Sequence, residues 1–523
     1  MLPRVRRSRV LTWVTAHELA PVVAVALLAA IGASVWSYAT HSMLLYGDAE
    51  AHLDVARRVT DGLDVGLAQL GSVWLPVPHL LLVPLVAVRS LWRSGIAGAL
   101  VSGVCFVYSA TRIYALVKEL SGSRIGAWCA FALFTFNLNL LYVQSTALTE
   151  PVLIAFCVGA VYHLARWMRT FWMGELIWAA VLTGLATLSR YEAWGLLAVE
   201  VVAVVIWGHL ADRRRHSKQA NTLVFTLLGA YGVALWFLYN LIIFHDPLYF
   251  LHSIYSAQVI NGGQAQFGLL GTKGHITTTV LTLGWDLVGT VGPPVLIAAA
   301  LSIVLLGTRD PQRRRTLFVL ALLGAPVLFD LVTLYAGQIT IRVSQLAPHQ
   351  LWNVRYGLLA LPLCAVALGC IAARSRLYAT AATGATVAGI ALMSLSTPVT
   401  LADGRTGESH TGAGNPPLAA IYLREHYHGG EVLADDGSAS SLIFESDLNL
   451  DQFISPGDRG LWQQALTTPY AHSAWVVEYP DDAIATDMSK SPRRFLGYIL
   501  VAASGRARLY ERLPQAGRGT LRR

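Results

Sequence analysis

Asp48-Ala49-Glu50 sets two carboxylates just beyond the first long apolar run, which extends from about Pro21 to Ala39. Acids are costly beside a bilayer, so those kept at its edge point to chemistry rather than to packing. Further ionisable groups recur at the ends of later apolar runs. Glu150 precedes Pro151, Arg190-Tyr191-Glu192 separates two runs, and Arg355-Tyr356 stands near the start of another. His79 lies in Pro76-Val77-Pro78-His79-Leu80. Carboxylates of this kind take up protons, hold cations or fix arginines. Asp48, Glu50 and Glu150 together would suit a divalent cation that prefers oxygen ligands, although no histidine or cysteine spacing marks a metal site.

Each residue also has a plainer reading. Asp48 suits the N-cap of a helix starting near Ala49, with Glu50 in its first turn. Glu150 suits the start of a helix opened by Pro151. Arg190 and Glu192 are spaced to pair with neighbours, and Arg355 could snorkel to the interface. His79 reads more readily as a loop or interfacial histidine than as a catalytic group, and His245-Asp246-Pro247 as a turn.

The elements that position these groups follow from composition. The 523 residues are 54% hydrophobic and only 13% charged, with a mean hydropathy of +0.51; soluble chains carry roughly 25% charged residues. Repeated apolar windows of about 20 residues match the length needed to cross hydrocarbon. The fold class is therefore an all-α polytopic membrane protein. The net charge of +8 is accounted for by basic loops and tails, with no nucleic-acid partner. The five cysteines, Cys105, Cys129, Cys157, Cys364 and Cys370, all lie in apolar segments and read as small buried residues.

Basic residues then orient the spans. Arg4, Arg6, Arg7 and Arg9 place the N-terminus in the cytoplasm. Lys118 and Arg124, Arg166 and Arg169, Arg213 to Arg215, Arg313 to Arg315, and Arg374 and Arg376 mark later cytoplasmic connections. About eleven spans result, among them Ile125–Val143, Ile177–Leu188 and Leu287–Leu306, with a polar loop from His245 to about Asp286. This count requires that the proline-broken segment Pro76–Trp92 does not cross. Residues 40–95 then form an external loop with short helices at Ala49–Val59 and Pro78–Leu91. Residues 1–399 form the membrane domain, 400–417 a linker, 418–513 a small extracytoplasmic α/β domain, and 514–523 a disordered tail. Strands are expected at Glu431–Ala434, Ala474–Glu478, Tyr498–Ala502 and Ala507–Arg512, and a turn at Asp435-Asp436-Gly437. The protein is placed in the plasma membrane of a bacterium, the latter from its high Ala, Arg and Gly with low Lys.

In their order, Gly47-Asp48, Pro76-Val77-Pro78-His79, Thr149-Glu150-Pro151, Ser189-Arg190-Tyr191-Glu192, His245-Asp246-Pro247-Leu248-Tyr249-Phe250 and Asn353-Val354-Arg355-Tyr356 resemble the GT-C superfamily of membrane glycosyltransferases, nearest the protein mannosyltransferase and aminoarabinose transferase branch. The resemblance spans about Val22 to Leu395. It implies a polyprenyl-phosphate sugar donor, an acceptor hydroxyl on glycan, lipid or protein, and inversion at the anomeric carbon, with no required cofactor. Asp48 takes the place of the expected catalytic base and Glu150 that of a second acid. Glu50, His79, Arg190, Tyr191, Glu192, Arg355 and Tyr356 are the implied substrate contacts. A carboxylate within hydrogen-bond reach activates a hydroxyl, and arginine's planar fork suits a departing phosphate. The chain departs from the better-known branches in reading Gly-Asp-Ala-Glu where adjacent acids are usual, and in lacking a lysine in that loop. Two other functions fit the composition: transport of a lipid-linked glycan, and non-catalytic envelope assembly through the tail.

Overall fold

The structure, a computed structural model, describes residues 9–210, 215–253, 255–259, 261, 269–309, 313–407, 416–480 and 482–513. The basic residues Arg4, Arg6, Arg7, Arg213 and Arg214, the linker residues 408–415 and the tail 514–523 lie outside the described residues. The chain divides into two compact units.

The larger unit, Met1–Met43, Ser72–Pro78 and Gly98–Ser409, holds the membrane helices. Among the described residues, eight helices are long and apolar enough to cross a bilayer: Glu18–Ala39, Ile96–Ser121, Glu150–Thr170, Glu192–Leu210, Lys218–Phe244, Arg314–Ala336, Val354–Ala372 and Arg376–Thr406. A further helix pair, Ile276–Val291 and Pro293–Thr308, is long and apolar enough only when taken together, and its halves meet at 107°. Sequence hydropathy places a straight span at Leu287–Leu306, and the bend has a local cause. Gly292 takes a φ of +94°, which an L side chain would resist. The following Pro293-Pro294 lacks the amide protons needed to carry one helix into the next.

The two remaining expected spans are shorter helices, Arg124–Thr135 and Met173–Thr187. The run expected to continue to Val143 stops at Phe136. Asn137 then caps a separate helix, Leu138–Val143, by accepting a hydrogen bond from the Leu140 amide at 2.9 Å. Backbones approach closely where glycines allow it. A Cβ on Gly126 would come within 2.3 Å of the Gly369 carbonyl oxygen, the small-residue contact by which membrane helices pack. Residues 399–406, read from the sequence as membrane end and linker, are instead helix, with the Thr400 amide and hydroxyl donating to Asn139 Oδ1 at 3.0 Å each.

The smaller unit comprises Leu44–Gly71, His79–Ala97 and His410–Arg523. The first-loop helices Gly47–Arg58 and Arg89–Arg93 therefore belong with the tail and not with the membrane helices. A five-stranded sheet forms from β1 (Val432–Leu433), β2 (Phe453–Ile454), β3 (Trp475–Glu478), β4 (Tyr498–Ser504) and β5 (Ala507–Arg512), in the order β2-β1-β3-β5-β4. β1 pairs in parallel with β2 and β3, while β3–β5 and β5–β4 are antiparallel. Leu433, Ile454, Val476, Trp462, Ile484 and Phe495 form its core. The expected turn at Asp435-Asp436-Gly437 is the start of a helix, Asp436–Glu445. Asp435 caps it through a bond from the Gly437 amide, a role aspartate fills as readily as a turn.

Candidate active site

In the smaller unit, the helix Gly47–Arg58 begins after Tyr46, and no side chain caps it. Asp48 is thus the second helical residue rather than the cap, and it is half-buried. Glu50, one half-turn on, is fully buried. Burial raises its carboxyl well above the ordinary range, and the nearby Glu445 carboxylate raises it further. Asp54, on the same helix, accepts a hydrogen bond from Trp92 Nε1 at 2.9 Å. Burial pushes it up to about 7 against the pull of Arg58, Arg93 and Trp92. His79, expected to meet substrate, is fully buried with its Nε2 2.9 Å from His52 Nδ1.

This helix is anchored on the sheet domain. Arg58 pairs with Asp436. Arg93 donates to the Phe444 carbonyl and to that of Leu448. Arg89 donates to Asn449 Oδ1 at 2.5 Å and to the Asp447 carbonyl at 2.7 Å. Glu50 and Asp54 therefore belong to the seam between the first-loop helix and the sheet domain, while Asp48 on the same helix is half-buried.

In the membrane unit, the sequence-predicted residues converge on Glu150. Thr149 precedes the helix and Pro151 occupies its first turn, as proline there requires no amide donor. Glu150 Oε1 accepts from Arg190 Nη1 at 2.9 Å and from Arg355 Nε at 2.8 Å, while Oε2 has no hydrogen-bond partner. Arg190 also donates to Glu192 Oε1 through Nη2 at 2.6 Å and Nε at 2.9 Å, and to Thr149 Oγ1 at 3.0 Å. Its guanidinium lies 4.8 Å from the centre of the Tyr356 ring. Tyr191 turns away from this cluster. Its hydroxyl donates to the Val73 carbonyl at 2.8 Å and its ring stacks on Phe250 at 5.7 Å. Of the two readings open for Arg190 and Glu192, mutual pairing at a span junction is present.

Two acids escaped the reading of site residues. Asp330, in the helix Arg314–Ala336, and Asp286, in Ile276–Val291, are both buried. Neither Asp330 oxygen has a hydrogen-bond partner. Gly357 makes room for Asp286: a Cβ there would sit 3.0 Å from Asp286 Oδ1 and 2.4 Å from Thr290 Oγ1. A lone acid inside an apolar run was the signal available for Asp330. Asp246 forms the expected turn, its Oδ1 accepting from the Leu248 amide at 2.9 Å. Arg342 lies under the Trp352 ring, 5.0 Å from its centre. Among the described residues, no group of three or more His, Cys, Asp or Glu is arranged to hold a metal ion.

Residues 93–250 match the family described as dolichyl-phosphate-mannose-protein mannosyltransferase, a span that includes Glu150, Arg190 and Glu192. No curated protein sequence matches the chain. Among solved structures, ArnT from Cupriavidus metallidurans bound to undecaprenyl phosphate is similar with a TM-score of 0.53 and 11% identity, over 92% of this chain and 97% of that one. The oligosaccharyltransferase AglB from Archaeoglobus fulgidus, in complex with an inhibitory peptide and a dolichol-phosphate, gives a TM-score of 0.48 and 11% identity over 89% of this chain and 70% of that one. A second structure of an Archaeoglobus fulgidus oligosaccharyltransferase, tethered to an acceptor peptide, gives 0.49 and 11% over 97% and 76%.

Proposed function

We propose that this chain, whose fold is that of the GT-C membrane glycosyltransferases, is an inverting glycosyltransferase that uses a polyprenyl-phosphate sugar. The observation that carries the reading is the set Glu150–Arg190–Arg355 at helix ends of the membrane unit, within a span-junction region that the mannosyltransferase family match largely covers. The two arginines, held by Glu150 and, for Arg190, also by Glu192, form a preorganised guanidinium surface. Such a surface stabilises the charge that develops on a departing phosphate, at little cost of reorganisation. Glu150 serves as the positioning acid. It fixes two guanidinium groups through one oxygen and leaves the other oxygen open.

Asp48 is assigned as the base. It takes the proton of the acceptor hydroxyl as that oxygen bonds to the anomeric carbon, while the bond from this carbon to the phosphate oxygen breaks. The polyprenyl phosphate leaves with the bonding electrons. The family name attached to residues 93–250 supports a mannose-like hexose as the sugar to test first, with a pentose second. The acceptor is a hydroxyl of glycan, lipid or protein outside the cytoplasm, and no step is assigned to a metal.

Asp48→Asn, purified and reconstituted with polyprenyl-phosphate mannose, should lose about 10²-fold or more of its transfer rate while still binding the donor. Transfer at the wild-type rate would remove Asp48 from the mechanism. Absence of transfer by the wild type from any polyprenyl-phosphate sugar would remove the reading altogether.

A further inference from the structure

Far from Glu150, the membrane unit contains a second charged cluster to which the proposed transfer reaction assigns no role. Arg166 stands 16 residues after Glu150 on one helix. At 1.5 Å per residue this is about 24 Å, most of the ~30 Å hydrocarbon thickness. Several cations at this end are paired with acids. Lys118 and Arg124 share Glu18, and Arg169 and Arg315 share Glu119. Glu175 is used by both of its oxygens, one 2.6 Å from His163 Nδ1 and the other 2.9 Å from Arg166 Nη2.

Arg112 is not among them. It lies within the spanning helix Ile96–Ser121, and no carboxylate among the described residues lies within ion-pair distance of it. Its Nε is buried and has no hydrogen-bond partner. What holds it is aromatic: its guanidinium lies 4.9 Å from the centre of the Tyr108 ring and 5.1 Å from that of Tyr162. Gly159 accommodates this arrangement, since a Cβ there would meet the Tyr108 hydroxyl at 2.6 Å. Arg166 also lies near Tyr162, 5.7 Å from the ring centre. Arg112, Tyr108, Tyr162 and Arg166 are each half-buried, so part of each reaches the surface of the membrane unit. Trp172 and Trp178, 56% and 55% exposed, flank Glu175 in the sequence, as aromatics do at headgroup depth.

An arginine within a span, oriented by two tyrosines and left without a carboxylate, is arranged for an anion that arrives from outside the chain. From this juxtaposition we propose that Arg112, with Arg166 beside it, binds the phosphate of a membrane lipid at the end of the membrane unit opposite Glu150. This site does not depend on the transfer reaction proposed above. The same chemistry is offered by a polyprenyl monophosphate and by a phospholipid headgroup.

The test is native mass spectrometry of the full chain in detergent with added undecaprenyl phosphate or phosphatidylglycerol. Arg112→Gln should lower retention of one of them by about tenfold, and the lipid affected identifies the source. Equal retention of both lipids by wild type and Arg112→Gln overturns the site. A second readout does not depend on how that variant folds. A photoreactive phenylalanine analogue at position 162, in otherwise wild-type protein, should crosslink a phosphate-bearing lipid. Capture of diacylglycerol with equal yield from a matched mixture overturns the proposal.

Discussion

Glu150, itself buried, holds two guanidinium groups through one oxygen, and this makes its charge more important than its shape. Glu150→Gln keeps the volume but leaves Arg190 and Arg355 without their shared anion. Removing one partner of a buried ion pair costs about 3–5 kcal/mol, so this variant should show a clearly lowered thermal transition in detergent and reduced transfer. Arg355→Lys should cost transfer as well, because a point charge cannot reproduce the planar fork. The comparison to make is its transfer rate against its binding of undecaprenyl phosphate. The sequence exposed Glu150, Arg190 and Arg355 because each stands at the edge of an apolar run. Asp330 and Asp286 were not picked out as site residues, since hydropathy windows average away a single acid. The contact of His79 with His52 was not legible, because a histidine after two prolines gives no indication of the ring it will face.

At the scale of elements, the helix Gly47–Arg58 has the most distinctive response to pH. Glu50, Asp54 and Glu445 all have carboxyls raised by burial, so the folded seam holds protons that the unfolded chain releases. The stability contributed by this seam is complete below the ordinary carboxyl range. It is lost as pH rises through the raised values, about 7 for Asp54. Arg57, Arg58 and Arg93 lower Asp54 and moderate the effect. Amide hydrogen exchange across residues 47–58, corrected for intrinsic rate, should therefore show protection falling between pH 5 and 8. Flat protection across that interval would contradict it. Short elements escaped the sequence: β2 has two residues, and the helix Val399–Thr406 contains the Gly and Thr that read as a linker. Long apolar helices were legible because their lengths exceed what a turn signal can obscure.

For the whole molecule, the expected division between membrane part and tail is replaced by one that cuts across the sequence. Residues 44–71 and 79–97 share a unit with the C-terminal sheet, through contacts such as Arg58–Asp436 and Arg93–Phe444. No sequence pattern announces such pairing, because each partner satisfies local rules alone. Truncation after residue 407 should leave the membrane helices inserted but expose the loop helix to protease, with new cleavage between residues 47 and 71. An uncleaved loop in the truncated protein would show that the loop is ordered without the sheet.

Arg58 and Asp436 are 378 residues apart in the chain. At about 5–20 residues per second, a ribosome takes roughly 20–75 s to supply the second after the first. During that interval the segment around Asp48 has been made while its docking surface does not yet exist. The acid assigned as base thus reaches its native setting only near the end of synthesis, so a stalled or prematurely released polypeptide would carry inserted helices and an unfinished catalytic segment.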